Sequence, residues 1–259
     1  MDTTDFAKRM KLYEKRETRE TFNPNLPIII RLDGKGFSKF TKPFKRPFDE
    51  DFRKVMSDTA TYVMNQCCGS LSYTQSDEIS IIVDRPDIFF KGKKQKIVSV
   101  LAAMATSYFV IQASKIWPDH VSKCIPAFDC RAFNVPDKAE AVNAILWRQK
   151  DCVRNSISMM GHYHFTKSDM HKKCTKEVIS MLRLRKDIEW NDLDTAFKYG
   201  IYSYKSKKTR EIDDQTWNKI PEKSRPENRK VERSITTTSS FDNPDFKFIR
   251  SLAYGDNND

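Results

Sequence analysis

Residues Leu71–Val83, LSYTQSDEISIIV, constrain the fold more than any other stretch. Two short apolar runs, Leu71–Tyr73 and Ile79–Val83, flank Asp77 and Glu78 and predict a β-hairpin with an acidic turn. An earlier apolar run, Pro27–Leu32, predicts a buried strand that ends in Asp33-Gly34. The order is strand then acid, and later strand, acidic turn, strand. Carboxylates at adjacent strand ends can hold two Mg²⁺ ions a few Å apart, which is what an enzyme that moves nucleotides needs.

The flanking segments fill in an α+β architecture. Helical spacing marks Asp5–Glu17, with Phe6, Met10 and Tyr13 on one side, and the stretch from Asp49 to Asn65, which Asp49 can cap. Ile97 to Ser114 carries no charge, but Ser99, Thr106, Ser107, Gln112 and Ser114 interrupt it. It reads as a core helix lying on a sheet rather than a membrane span. Ala127–Val135 predicts a further strand and Asp137–Met160 another long helix. A mainly antiparallel sheet with helices on one face, as in ferredoxin-like and polymerase-palm domains, fits this order. Residues 1–165 form the expected palm-like catalytic domain. Residues 166–259 form a helical and hairpin region that completes it, with a polar, Pro-containing loop from Glu211 to Asn228.

Lys+Arg 46 against Asp+Glu 35 gives a net charge of +11, which favours a polyanionic partner. The six cysteines form no CxxC pair, and the charged N-terminus has no apolar signal core. Both point to a reducing compartment, and the expected location is the cytoplasm. The chain has no GxSxG, no Walker motif and no Cys or acid at zinc spacing beside His162 and His164. Hydrolase triads, P-loop chemistry and a zinc site are not supported.

Asp33 and Asp77 are the candidate metal ligands, with the Gly34 carbonyl as a further oxygen. Alone, Asp33-Gly34 reads first as a turn and Asp77-Glu78 as a solvated hairpin tip; their order along the strands, with the lysines that follow, argues for a site. The loop Gly34–Ser38 follows a strand directly and offers backbone N–H groups to phosphate. Arg31 projects to the same side as Asp33. Lys91, Lys93, Lys94 and Lys96 are candidate partners of a triphosphate or of a nucleic-acid backbone. Tyr199, Tyr202 and Tyr204 read first as strand packing, and the adjacent Lys205, Lys207 and Lys208 make RNA contact plausible.

Six segments, RLDGKGFSKFT (Arg31–Thr41), KRPFD (Lys45–Asp49), YTQSDEIS (Tyr73–Ser80), the lysines to Lys96, PAFDCR (Pro126–Arg131) and WRQKDCVRNSI (Trp147–Ile157), carry a resemblance. The chain is similar to the tRNA-His guanylyltransferase family, and within it to the guanylyltransferase-like branch of 3′-to-5′ polymerases. The resemblance implies a palm fold and two Mg²⁺ ions held by Asp33, Gly34 and Asp77, with Ser76 and Glu78 flanking them and Glu78 counted with the catalytic acids. It implies nucleotide and triphosphate contacts from Arg31, Lys35, Gly36, Phe37, Ser38, Arg46, Asp49, Lys93 and Lys96. RNA contacts are expected from Arg131, Arg154, Asn155, Lys205, Lys207 and Lys208. ATP, GTP or another NTP would be substrates, tRNA the partner, and a homotetramer the assembly, with no membrane involved. Where the guanylyltransferases proper have a histidine after DGRxF this chain has Ser38, and it replaces HINNLYN by Val153–Ile157. Those departures favour repair of 5′-truncated tRNA over dedicated guanosine addition. A palm-type nucleotide cyclase and a non-catalytic RNA-binding protein are the alternatives from other classes.

Overall fold

Three consecutive isoleucines open the first strand, and β-branched side chains fit a pleated surface packed on both sides. In the computed structural model, which describes residues 3–226 and 228–255, that run begins β1 (Ile28–Lys35). The hairpin is β2 (Leu71–Gln75) and β3 (Glu78–Val83), joined by the two residues Ser76 and Asp77. Ser76 takes a left-handed φ of 49°, as a tight hairpin turn requires. β4 (Ala127–Asn134), β5 (Ile201–Glu211) and β6 (Lys230–Ser239) complete six strands in the order β4-β1-β3-β2-β5-β6. Every pair is antiparallel.

Among the described residues the helices are α1 (Thr3–Thr18), α2 (Phe37–Phe40), α3 (Glu50–Gln66), α4 (Lys94–Ile116), α5 (Pro118–Lys123), α6 (Lys138–His164), α7 (Lys167–Met170), α8 (Thr175–Lys186), α9 (Thr195–Tyr199), α10 (Asp214–Lys219) and α11 (Phe246–Tyr254). Period-two alternation along β1 sends Ile28, Ile30 and Leu32 into one core with α3 and α4, and Ile29 into another with α6 and α11. Helices therefore cover both faces of the sheet, not the one face the element order predicts. α4 is long and apolar enough to cross a membrane by length and composition. Here its stripe Ile97, Leu101, Ala105, Phe109 and Ala113 packs fully buried in the first core. A third cluster joins α6 and α8 around Trp190.

The chain after residue 165 supplies β5 and β6 to the same sheet, and α11 to its second face. β5 pairs with β2 as far as Tyr204; from Lys205 to Glu211 its sole strand partner among the described residues is β6. The two strands thus run on beyond the sheet as an arm. His162 and His164 end α6 rather than lying on a strand.

Candidate active site

The catalytic candidates sit where three strands end together. Asp33 is paired across the sheet with Glu78 on β3 and with Asp129 on β4, so all three carboxylates leave the same face. Asp77, in the hairpin turn, approaches from the side. The Gly34 N–H donates to the Asp77 carbonyl at 3.1 Å and ties the β1 end to the turn. A Cβ on Gly34 would lie 2.4 Å from the Phe37 ring and 2.9 Å from the Asp77 Cβ. Only glycine admits this approach, which is the physical reason for Asp-Gly at this strand end.

Burial, and then the neighbouring Asp33 charge, push the Asp77 carboxyl above its ordinary pKa; the turn backbone and the Ser76 hydroxyl, 3.2 Å away, oppose this. Two crowded carboxylates of this kind suit a hard cation. Among the described residues no three His, Cys, Asp or Glu side chains converge as a metal cage. The donor set fits Mg²⁺, which keeps waters and takes substrate phosphate oxygens to complete its shell. Asp33, Asp77 and the Gly34 carbonyl are the groups that would hold it.

Glu78 has a different setting. Arg148 on α6 donates to both of its carboxylate oxygens at 2.6 Å, and Arg31 lies 3.8 Å away. Arg148 also donates to Asp151 at 2.8 Å, and Asp151 pairs with Arg154. The structure thus commits Glu78, expected among the catalytic acids, to a largely buried ion-pair network that clamps β3 to α6. Arg131 reaches Asp33 and Asp129 at 3.4 Å, which places it beside the acids. Trp147 presents its ring to Arg31 at 4.8 Å and to Arg148 at 4.7 Å. The sequence reading missed Arg148, Asp151 and Asp129. Their signal was the i,i+3 spacing of Arg148 and Asp151, and the shared face of Asp129 and Arg131 on one strand.

Beside Asp77 opens a cavity of about 280 Å³. Phe37, Ser38, Arg46, Asp49, Ser76, Asp77 and Asn155 all line it, so the structure brings seven predicted site residues to one place. Gly36, at φ 73°, starts α2 and turns the chain from strand to helix, while Lys35 is exposed at the strand end. Phe37 lines the cavity but is itself 2% exposed, packed against Phe40, Phe109 and Phe128. Its ring therefore anchors the loop in the core and is no phosphate contact. Asp49 accepts from the N–H groups of Phe52 at 2.9 Å and Lys45 at 3.1 Å. It caps α3 and at the same time holds the Lys45–Arg46 loop over the cavity.

Lys93 and Lys96 are not part of this constellation. Lys93 bridges to Thr21, and the neighbouring Asn23 N–H donates to Asn134, which pairs with Ile28 at the start of β1. Ile28 and Asp33 are separated by roughly 16 Å of strand. The helix gives the same answer. Phe128, opposite Gly34, donates to Thr106 on α4, and Lys96 lies ten residues, about 15 Å, before Thr106. Lys93 and Lys96 thus lie towards the Ile28 end of the sheet, and Asp33 and Asp77 at the other. Lys205, Lys207 and Lys208 lie on the arm, which leaves the sheet at the Leu71 end of β2, again away from Asp77. Lys205 bonds to Asn65 and Thr236, and Lys207 pairs with Glu232 at 3.3 Å. Tyr202 is fully buried against Tyr73, so packing is its role.

Comparison with known proteins identifies the family and the fold. Residues 7–136 match the model of the tRNAHis guanylyltransferase family, half of the chain. The tRNA(His) guanylyltransferase of Schizosaccharomyces pombe is 30% identical over 251 residues, covering 90% of this chain and 93% of that one. A bacterial tRNA(His) guanylyltransferase-like protein solved in complex with ATP superimposes with a TM-score of 0.71 at 34% identity, over 77% of this chain and 88% of that chain. A structure of such a bacterial protein in complex with GTP gives 0.64 at 33% identity, over 78% and 86%. The chain belongs to the tRNAHis guanylyltransferase family.

Proposed function

We propose that the protein extends tRNA at its 5′ end in the 3′-to-5′ direction, choosing the added nucleotide by the partner base, and so repairs 5′-truncated tRNA. The observation that carries this reading is Asp77, tied by its carbonyl to the Gly34 N–H at the Asp33 end of β1 and lining a cavity that has both cationic and aromatic walls. A 5′ phosphate oxygen of the RNA bonds to the α-phosphorus of ATP and pyrophosphate leaves, or a 5′ triphosphate is used directly. The 3′ oxygen of an incoming NTP then forms a bond to the RNA 5′ phosphorus, the bond to AMP or pyrophosphate breaks, and the hydroxyl proton passes to solvent. Bound Mg²⁺ supplies a lowered hydroxyl pKa and neutralises phosphate charge.

The chain's own groups position the reactants. Lys45 and Arg46, from the loop that Asp49 holds, and Ser38, from α2, face the NTP phosphates. Asp33 and Asp77 fix where the phosphates converge. Arg131, beside Asp33, meets the RNA 5′ phosphate. Ser38 and Val153–Ile157, where the guanylyltransferases proper differ, support the repair reading over dedicated guanosine addition. We place the enzyme in the cytoplasm as a homotetramer.

The test is incorporation of labelled NTPs into tRNA lacking its first 5′ nucleotide, with Mg²⁺, while the base opposite the gap is varied. Addition should follow that base, and Asp77→Ala should abolish it without unfolding the protein. Addition of G whatever the partner base would establish the dedicated guanylyltransferase instead. NTP turnover without RNA would establish a cyclase.

A further inference from the structure

Among the residues that line the cavity, one cation has no part in the mechanism above. Arg53 projects from α3 into the cavity wall, one turn beyond the cap. Its guanidinium pairs with Asp194 and is 4.0 Å from Glu50. Asp194 in turn caps α9, accepting from the Phe197 N–H at 2.9 Å. The Phe197 ring stacks on Phe48 from the opposite wall, with centroids 4.8 Å apart and planes 26° from parallel. Arg53, Asp194 and the Phe48–Phe197 stack are therefore one assembly, built from α3, the Arg46–Asp49 loop and α9.

Apart from the Arg53–Asp194 ion pair this assembly is apolar and aromatic. The acid end of the same cavity is occupied by Ser76, Asp77 and Ser38. A nucleotide whose phosphates lie at the acids must send its base to the other end, among rings that favour a flat π-face. There the base edge meets a guanidinium that Asp194 orients and only partly uses, since arginine has five N–H donors and no acceptor. The fork of arginine matches two adjacent acceptors. Guanine presents N7 and O6 side by side, whereas adenine presents N7 next to an N6 donor, which arginine repels.

We propose that Arg53 reads the base of the nucleotide bound in the cavity and favours guanine over adenine, with Asp194 as its positioning residue. This rests on the reading of the cavity as the nucleotide site. It adds a selectivity that belongs to the protein pocket rather than to the RNA partner base.

The test is equilibrium binding of GTP, ATP, CTP and UTP with Mg²⁺, without RNA, to the wild-type chain and to Arg53→Leu, Arg53→Lys and Asp194→Asn. The wild type should bind GTP at least about tenfold more tightly than ATP, the scale of one bidentate arginine contact. Arg53→Leu should bring the GTP:ATP ratio close to one. Arg53→Lys, which keeps the charge and loses the fork, should lie between. Asp194→Asn keeps the α9 cap and should shrink the ratio with a smaller effect on folding. Equal binding of GTP and ATP by the wild type, a preference for CTP or UTP, or a ratio unchanged in Arg53→Leu would overturn the proposal and leave the nucleotide site standing. Failure of the wild type to bind any of the four would overturn the site itself. Melting curves of each variant separate loss of selectivity from loss of fold.

Discussion

Burial and the Asp33 charge raise the Asp77 pKa in the folded chain, so ionising this carboxyl costs the fold something that the unfolded chain does not pay. The sign follows. The contribution of Asp77 to stability is fully present below the ordinary aspartate pKa and is lost as pH rises through the raised folded value. At neutral pH and without divalent cation the charged pair is a liability, kept for function. Asp77→Asn should therefore melt above the wild type at pH 7 without Mg²⁺, and the gap should close near pH 3. Adding Mg²⁺ should raise the wild-type melting temperature and leave the variant's unchanged, because only the wild type binds it tightly. A variant that melts below the wild type at pH 7 would refute the pairing of these carboxylates. Gly34 matters for the same reason: it lets the two acids come together, and no other residue fits there.

At the scale of elements, the site depends on a clamp between α6 and β3. Arg148 and Glu78 have side chains only 11% and 13% exposed, so removing one strips the other of its bidentate partner and leaves Glu78 with Arg31 alone, or Arg148 with Asp151 alone. Arg148→Met should cost about 3 kcal/mol or more in urea denaturation, since breaking a buried pair is the expensive case. The double variant Arg148→Met with Glu78→Gln should recover part of that loss; full additivity would show that the two do not act as a pair. Elements with strong local signals were legible in the sequence: β1 from its apolar run, the hairpin from turn chemistry, α3 from spacing and its Asp49 cap. β6 was not, because KVERSITTTS is charged on both faces and is a strand only through its pairing with β5. α11 is nine residues long and gave no separate signal. Coverage of both sheet faces, the Arg148 clamp and the role of Phe37 as core anchor are tertiary facts, and local pattern carries little information about them.

At the scale of the molecule the question is why the lysines and the acids lie at opposite ends. Lys93 and Lys96 follow the Asp77 turn closely in sequence, but β3 carries the chain to the far end of the sheet before α4 begins. α4 then returns over about 34 Å towards the acids, with its lysines left behind. If these lysines hold phosphates of a reacting substrate, a second copy of the chain must supply the acids, and this is the use a homotetramer would have. Asp77→Ala and the double variant Lys93→Ala/Lys96→Ala should each be inactive alone and should together recover nucleotide addition, measured after co-refolding or subunit exchange. In the mixture some sites combine intact acids from one chain with intact lysines from another. Activity of the lysine variant alone would show that these lysines serve no phosphate in the reaction. Two inactive variants whose mixture stays inactive, though the copies exchange, would confine the lysines' role to the chain that carries them.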